Sequence, residues 1–352
     1  MKGRGAVSNQ DGRFERLTRE AVDDGWGDDD GLPPLRTQVL PDTARKVIAR
    51  NTSPDIPFDR SLNPYRGCEH GCVYCFARPS HAYLGLSPGL DFETKLFAKH
   101  DAANLLRAEL AARSYRCQTL QLGANTDPYQ PIERRFGITR GVLEVLAACD
   151  HPVSITTKSD LVLRDLDILA PMAAKGLASV AVSVTTLDRG LARRLEPRAP
   201  TAAKRLHAIA GLAGAGVPVT VLAAPMIPAL NDMELDAIIA EAAAAGATAA
   251  GYVLLRLPGE VADLFGEWLQ AHYPDRAERV LNRLRSSREG ALYRADWGTR
   301  YTGTGVEAQL LAARFKAALK RAGLDRARSG SRPLRCDLFR PPVPPSAQMS
   351  LF

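Results

Sequence analysis

Asn63-Pro64-Tyr65-Arg66-Gly67-Cys68-Glu69-His70-Gly71-Cys72-Val73-Tyr74-Cys75-Phe76 holds three cysteines in a C-x3-C-x2-C spacing, with an aromatic residue, Tyr74, before the last of them. Three thiolates so placed can hold three irons of a cubane cluster and leave the fourth iron bare. Thiolates are the ligands that suit iron-sulfur clusters, and sites with four of them serve electron transfer. A site with three leaves an iron free for chemistry. The alternative is a structural zinc ion, which prefers C-x2-C pairs and a fourth Cys or His, with His70 and His81 as the nearby candidates.

The C-x3-C-x-aromatic-C run resembles the signature of the radical S-adenosylmethionine (SAM) superfamily. The resemblance implies a [4Fe-4S] cluster on Cys68, Cys72 and Cys75, with the methionine end of SAM on the open iron. It also implies reductive cleavage of SAM to a 5′-deoxyadenosyl radical, with a flavodoxin or ferredoxin-type protein as reductant.

The bulk composition is compatible with that reading. A chain of 352 residues with 45% hydrophobic and 24% charged residues is an ordinary globular protein of one large domain or two smaller ones. Six cysteines, three of them in one cluster, indicate metal chemistry in a reducing compartment rather than a disulfide framework. The N-terminus lacks the apolar core of a signal peptide, and no uncharged apolar run reaches membrane-spanning length, so the expected location is the cytoplasm, with no membrane partner. The net charge is +7, and residues 271–352 carry sixteen Lys and Arg against seven Asp and Glu. A basic end of that size favours a polyanionic partner such as nucleic acid over a merely solvated surface.

Residues 1–34 mix Gly, Asp and Arg and read as a disordered leader, followed by an N-terminal extension over 35–60. From there the sequence alternates short β-branched runs with Ala- and Leu-rich stretches, the pattern of a parallel α/β sheet. Strands are expected before Cys68 and over 119–123, 153–157, 180–186, 217–223 and 252–257. Helices are expected near 100–113, 138–149, 164–175, 201–214 and 232–245, with Gly176, Gly216 and Gly246 as helix-ending residues. Six βα units give an α/β fold, a partial (β/α)6 TIM-like barrel over 61–273, with a basic helical extension over 274–340 and a Pro-rich tail over 341–352. The superfamily uses such a barrel, and barrel chemistry sits at the C-terminal ends of the strands.

Polar groups stand at those ends. After the second strand comes Gly123-Ala124-Asn125-Thr126-Asp127-Pro128, where the superfamily contacts SAM's methionine end; these residue types are also plain turn formers. The resemblance thus assigns Asn125 and Thr126 to cofactor binding. Lys158, after the third strand, is placed to pair with SAM's carboxylate or a substrate phosphate. In the fourth strand the alternation aims Val182, Val184 and Thr186 to one side and Ser183 and Thr185 to the other, which points Ser183 toward the cofactor. Arg198 is suited to a bidentate contact with a carboxylate. Met226 and Ile227 read as core, and Asn231 or Asp232 as a helix cap.

Asn63 to Cys68, the Thr126-Asp127 turn, Lys158, Ser183 and the Glu196-Pro197 turn together resemble the spore photoproduct lyase-like branch, the DNA repair photolyase relatives. The likeness is strongest to a bacterial subgroup whose members are named only as radical SAM proteins. The lyase quenches its product radical with a cysteine after the second strand, helped by a tyrosine pair near the cluster. Tyr74 matches the first tyrosine and is, with Lys158, the catalytic candidate; the second tyrosine falls on Phe76 and the cysteine on or beside Asn125. The expected activity is therefore radical SAM chemistry on a nucleic acid base, in DNA repair or modification, but not that of a true spore photoproduct lyase. Cys117 and Cys149 read as structural thiols and Cys336 as a weak donor candidate. The rivals are modification of a peptide or small molecule, and a non-catalytic iron-sulfur module. The terminal Gln348-Met349-Ser350-Leu351-Phe352, on its Pro-rich spacer, resembles the pentapeptide by which bacterial repair proteins bind the sliding clamp.

Overall fold

The structure is a computed structural model that describes residues 3–15, 35–325 and 333–342. Among them the strands are, in chain order, β1 (Gln38–Pro41), β2 (Ala49–Arg50), β3 (Arg60–Leu62), β4 (Tyr65–Arg66), β5 (Lys95–Ala98), β6 (Leu120–Leu122), β7 (Val153–Thr157), β8 (Ala178–Ser183), β9 (Val219–Met226) and β10 (Ala249–Leu254). β3, β6, β7, β8, β9 and β10 lie side by side in that order, every pair parallel, and β2 adds antiparallel to the β3 edge. The two ends of the sheet do not pair, which makes it the open six-unit barrel expected from the alternation of strand and helix patterns. A second sheet, β1-β5-β4, was not foreseen; it braces the segment that leads into the cysteines.

The period-two pattern explains the layering. In β7, Val153, Ile155 and Thr157 are buried and Ser154 and Thr156 half-buried; β8 and β9 repeat this with Val180 and Val182, then Val219 and Val221. The buried apolar residues of this set pack under the crossover helices, and each such Val, Leu or Ile contributes about 1.5–3 kcal/mol of burial. The half-buried set faces the barrel interior. Helices span Ala102–Leu110, Ile138–Ala148, Leu166–Ala174, Ala202–Gly214 and Leu235–Ala244, close to expectation. Gly176, Gly216 and Gly246 have φ of 73°, 76° and 99°, the left-handed region that ends a helix.

The C-terminal extension has the helices Pro274–Ser286 and Gly305–Arg321, joined by a loop that returns to the barrel: the Leu254 N–H donates to Tyr301 O at 2.8 Å, beside β10. The helix Gly305–Arg321 covers that edge through Tyr252 against Phe315, ring centroids 4.8 Å apart, and an Arg314–Asp236 pair at 2.9 Å. Residues 333–342 pack at the opposite end. There the Arg335 N–H donates to Gly176 O, and the Phe339 ring meets Tyr115 and His151. Cys336 lies in this packed segment. No helix among the described residues is long and apolar enough to cross a membrane. The terminal pentapeptide, residues 348–352, lies outside the described residues.

Candidate active site

The cysteine loop is shaped by backbone constraints and one buried ion pair. Gly71 turns with φ of 67°, and a Cβ there would lie 2.7 Å from Glu93 Oε2. Arg78, fully buried, donates from Nε to Cys72 O at 2.9 Å and from its NH1 nitrogen to Pro88 O and Gly89 O, and pairs with Glu93. The Glu93 carboxylate also accepts the backbone N–H groups of Gly5 at 3.0 Å and Ala6 at 2.8 Å, and Arg4 donates to Glu93 O and Leu35 O. Residues 3–15, expected as part of a disordered leader, therefore hold defined positions on this loop; residues 16–34 lie outside the described set. The approach is close enough that a Cβ on Gly5 would lie 1.7 Å from Gly71 O.

One cavity of about 240 Å3 opens at the C-terminal ends of the parallel strands, and all three cysteines line it. So do Tyr74, Asn125, Thr126, Lys158 and Ser183. The Thr126 hydroxyl is engaged, donating to Tyr65 O at 2.9 Å, so this residue acts on the cavity through its position rather than a free hydroxyl. Arg198 is not among the lining residues; its guanidinium pairs with Glu69 at 3.0 Å. Cys117, Cys149 and Cys336 are likewise absent from the lining. Met226 and Ile227 are buried in the core, and Asn231 stands at the N-cap position of the turn 232–234 but makes no capping bond: its amide donates to Thr185 O and Pro225 O, which ties the segments after β8 and at the end of β9 together.

Behind the cavity wall sits Glu196, which the sequence marked only as part of the Glu196-Pro197 turn and gave no role at the site. It is buried, bonded to the Tyr74 hydroxyl and to Arg205, 2.7 Å from Thr185 Oγ1 and 3.6 Å from Lys158 Nζ. Burial alone would raise its carboxyl, but the positive charges of Arg205 and Lys158 outweigh burial and hold it down at about 2. Burial and the neighbouring Cys72 and Glu196 push the Tyr74 phenol well above its ordinary range, so the phenol keeps its proton. Asp127 organises the other side, accepting from Thr157 Oγ1 and Lys158 N–H, both at 2.7 Å, with His70 Nδ1 3.4 Å away. The sequence marked both carboxylates only as parts of turns, Thr126-Asp127 and Glu196-Pro197, and not their partners, which come from strands and helices distant in the chain.

The donor set fits an iron-sulfur cluster. Burial pushes the thiols of Cys68, Cys72 and Cys75 upward, so charging all three requires a bound cation. Among the described residues, no three His, Cys, Asp or Glu side chains gather around a single-ion site. A cubane asks less, since each thiolate binds a different iron. The zinc alternative needs four ligands converging on one ion, and neither His70 nor His81 joins the cysteines in such a group among the described residues.

Comparisons with known proteins agree with this geometry. Uncharacterized proteins of Mycobacterium tuberculosis and Mycobacterium bovis are 42% identical over 226 residues, 64% of this chain, and the chain spans 66% of their length. A protein of Methanocaldococcus jannaschii is 26% identical over 200 residues, 56% of this chain and 71% of its own. Among solved structures, spore photoproduct lyase complexed with dinucleoside spore photoproduct superposes with a TM-score of 0.59 at 17% identity, covering 82% of this chain and 79% of the other. A mutant of that lyase with bound AdoMet and dinucleoside spore photoproduct gives 0.58 at 17% identity, with the same coverage. These two likenesses show the fold. A sequence model of the Radical SAM superfamily matches residues 62–242, from the end of β3, which delivers the cysteine loop, to the helix after β9. The match takes in the cysteines and most of the sheet around the cavity, and the chain belongs to the radical SAM superfamily, with a [4Fe-4S] cluster and SAM as its cofactors.

Proposed function

We propose that this radical SAM enzyme acts on a nucleic acid base, in DNA repair or modification, by a route other than that of a true spore photoproduct lyase. The observation that carries the reading is the cavity itself: three cysteines line one part of its wall, and Tyr301 of the basic C-terminal extension lines another. A base reaching the cavity would be flipped out of its stack toward the strand ends. The likeness in fold to a lyase solved with a dinucleoside lesion supports the same substrate class.

Cys68, Cys72 and Cys75 hold the cluster, and the chemistry the cofactors supply is reductive cleavage of SAM to a 5′-deoxyadenosyl radical, with a flavodoxin or ferredoxin-type electron donor. The chain's own groups position and protect. Glu196, charged and locked to Arg205, accepts the hydrogen bond of the Tyr74 hydroxyl and fixes that side chain in the cavity wall; a hydrogen atom given by Tyr74 to a substrate radical would leave a tyrosyl radical, which an electron from the reductant and a proton would restore. On this reading Lys158, Asn125 and Ser183, which line the cavity, hold SAM, and Thr126 shapes the turn beside it. Asn125 has no hydrogen atom to give in place of the lyase's cysteine, so the quench differs from the lyase's. The terminal pentapeptide Gln348 to Phe352 would bring the enzyme to DNA through the sliding clamp.

The test is anaerobic reconstitution with iron and sulfide, reduction with SAM, and an assay for 5′-deoxyadenosine with and without ultraviolet-irradiated oligonucleotide. We expect product in the wild type, none in Cys72→Ala, and stimulation by the irradiated strand with a change in its bases. Cleavage of SAM that no oligonucleotide stimulates or consumes would remove the nucleic acid from the reading.

A further inference from the structure

Arg256 follows β10 and lines the cavity with its side chain among three aromatic rings: Tyr301 at 4.5 Å from the guanidinium carbon, Phe76 at 5.4 Å and Tyr293 at 5.6 Å. Rings over a guanidinium hold it by cation-π contact and cover its faces, which leaves the in-plane N–H fork for ligands. That fork is almost unused. One nitrogen donates to the Tyr293 hydroxyl at 3.3 Å, Nε is buried with no partner, and no carboxylate pairs with it among the described residues. Its cationic neighbours differ. Arg300 pairs with Asp55 at 2.9 Å, Arg294 pairs with Glu289 and Asp296, and Arg288, whose Nε is also without a partner, gives its terminal nitrogens to the carbonyls of Leu254, Leu255 and Arg300.

A half-buried guanidinium whose terminal nitrogens keep free donors calls for a planar pair of oxyanion oxygens. Two such groups come to this cavity on the reading above: the carboxylate of SAM and a phosphodiester of the substrate strand. Lys158, beside the Asn125-Thr126 turn, serves the first. Arg256 stands with Tyr293 and Tyr301 of the extension, outside residues 62–242. We propose that Arg256 binds a backbone phosphodiester of a single-stranded or locally opened nucleic acid and fixes the strand next to the reacting base. The proposal rests on the nucleic acid reading and adds to it the residue that fixes the strand. The exposed Trp297, with Arg300 4.8 Å from its ring centroid, continues the same surface outward as a stacking platform for a neighbouring base.

The test uses the full-length, cluster-loaded protein with a labelled oligothymidylate of about eight nucleotides, within the site sizes typical of single-strand binders. Affinity is read against salt for the wild type, Arg256→Gln and Arg256→Lys, and SAM affinity is read by calorimetry on the same samples. Loss of a charge-assisted fork weakens Arg256→Gln about 10- to 100-fold and makes the log–log salt slope shallower by about 0.7, the value of one phosphate contact on a single strand. Arg256→Lys keeps the slope while losing part of the affinity, which a folding defect would not produce. SAM affinity stays at the wild-type value in both variants. An Arg256→Gln protein with wild-type affinity and slope overturns the proposal and leaves the nucleic acid reading standing. Loss of SAM binding instead of strand binding assigns Arg256 to the cofactor and also overturns it. A wild type that does not bind the strand at any salt overturns both.

Discussion

Replacing Glu93 by Gln tests how residues 3–15 are held on the cysteine loop. The carboxylate is buried opposite Arg78 and accepts two backbone N–H groups, those of Gly5 and Ala6. The substitution preserves shape but removes the charge facing a buried guanidinium and turns one acceptor into a donor. Breaking a buried pair costs about 3–5 kcal/mol. Hydrogen bonds to a charged group contribute about 1.5–3 kcal/mol each, so the two that tether Gly5 and Ala6 sum to about 3–6 kcal/mol. Loss of even about 3 kcal/mol raises the population with this segment detached about a hundredfold, at a factor of ten per 1.4 kcal/mol. Arg4 is buried in the attached state, so trypsin cuts after it only on detachment. With opening fast relative to cleavage, the cut rate follows that population. The expected result is cleavage after Arg4 about a hundredfold faster in Glu93→Gln, by mass spectrometry, with a urea midpoint below the wild type's. Cleavage at the wild-type rate with an unchanged midpoint would refute the reasoning.

Three further outcomes are expected. His151 is buried against Tyr115 and Phe339, and burial lowers its imidazole to about 4 from 6.5, so the folded chain binds fewer protons than the unfolded chain between those values. Stability is then full above about pH 6.5 and falls by about 3 kcal/mol as pH drops to 4, at 1.36 kcal/mol per pKa unit; urea titrations of His151→Asn should lack that limb. Lys158→Met should bind SAM about tenfold more weakly by calorimetry on the loaded protein, about what one charge-assisted hydrogen bond contributes, while retaining its iron. Deleting residues 348–352 should abolish binding to a purified bacterial sliding clamp and leave 5′-deoxyadenosine formation unchanged; clamp binding that survives the deletion would place the contact elsewhere.

The elements legible in the sequence were those whose signal is local. Val153–Thr157 is bounded to the residue because a β-branched run between a turn and a polar end has no competing pattern, and Ile138–Ala148 to within one residue because its apolar face repeats at helical spacing. The cysteine triplet read itself. The pairing of Glu196 with Arg205 did not, since a Glu in a Glu-Pro turn and an Arg in an Ala-rich helix show no link until the chain folds them together. Residues 3–15 were misread for a related reason: glycine and charge with no apolar period describe a disordered tail equally well, and the decisive partner, Glu93, lies 87 residues beyond Ala6. Arg256 was hidden because its meaning lies in the rings of Phe76, Tyr293 and Tyr301, which come from two other parts of the chain.

The clasp formed by Gly5 and Ala6 on Glu93 also sets an order of events in the cell. Residues 3–15 leave the ribosome well before the loop they grip, and they can close only after Glu93 has emerged and met Arg78. Biosynthesis therefore contains an interval in which all three cysteines are out and the clasp is still open, a natural window for delivering iron and sulfide.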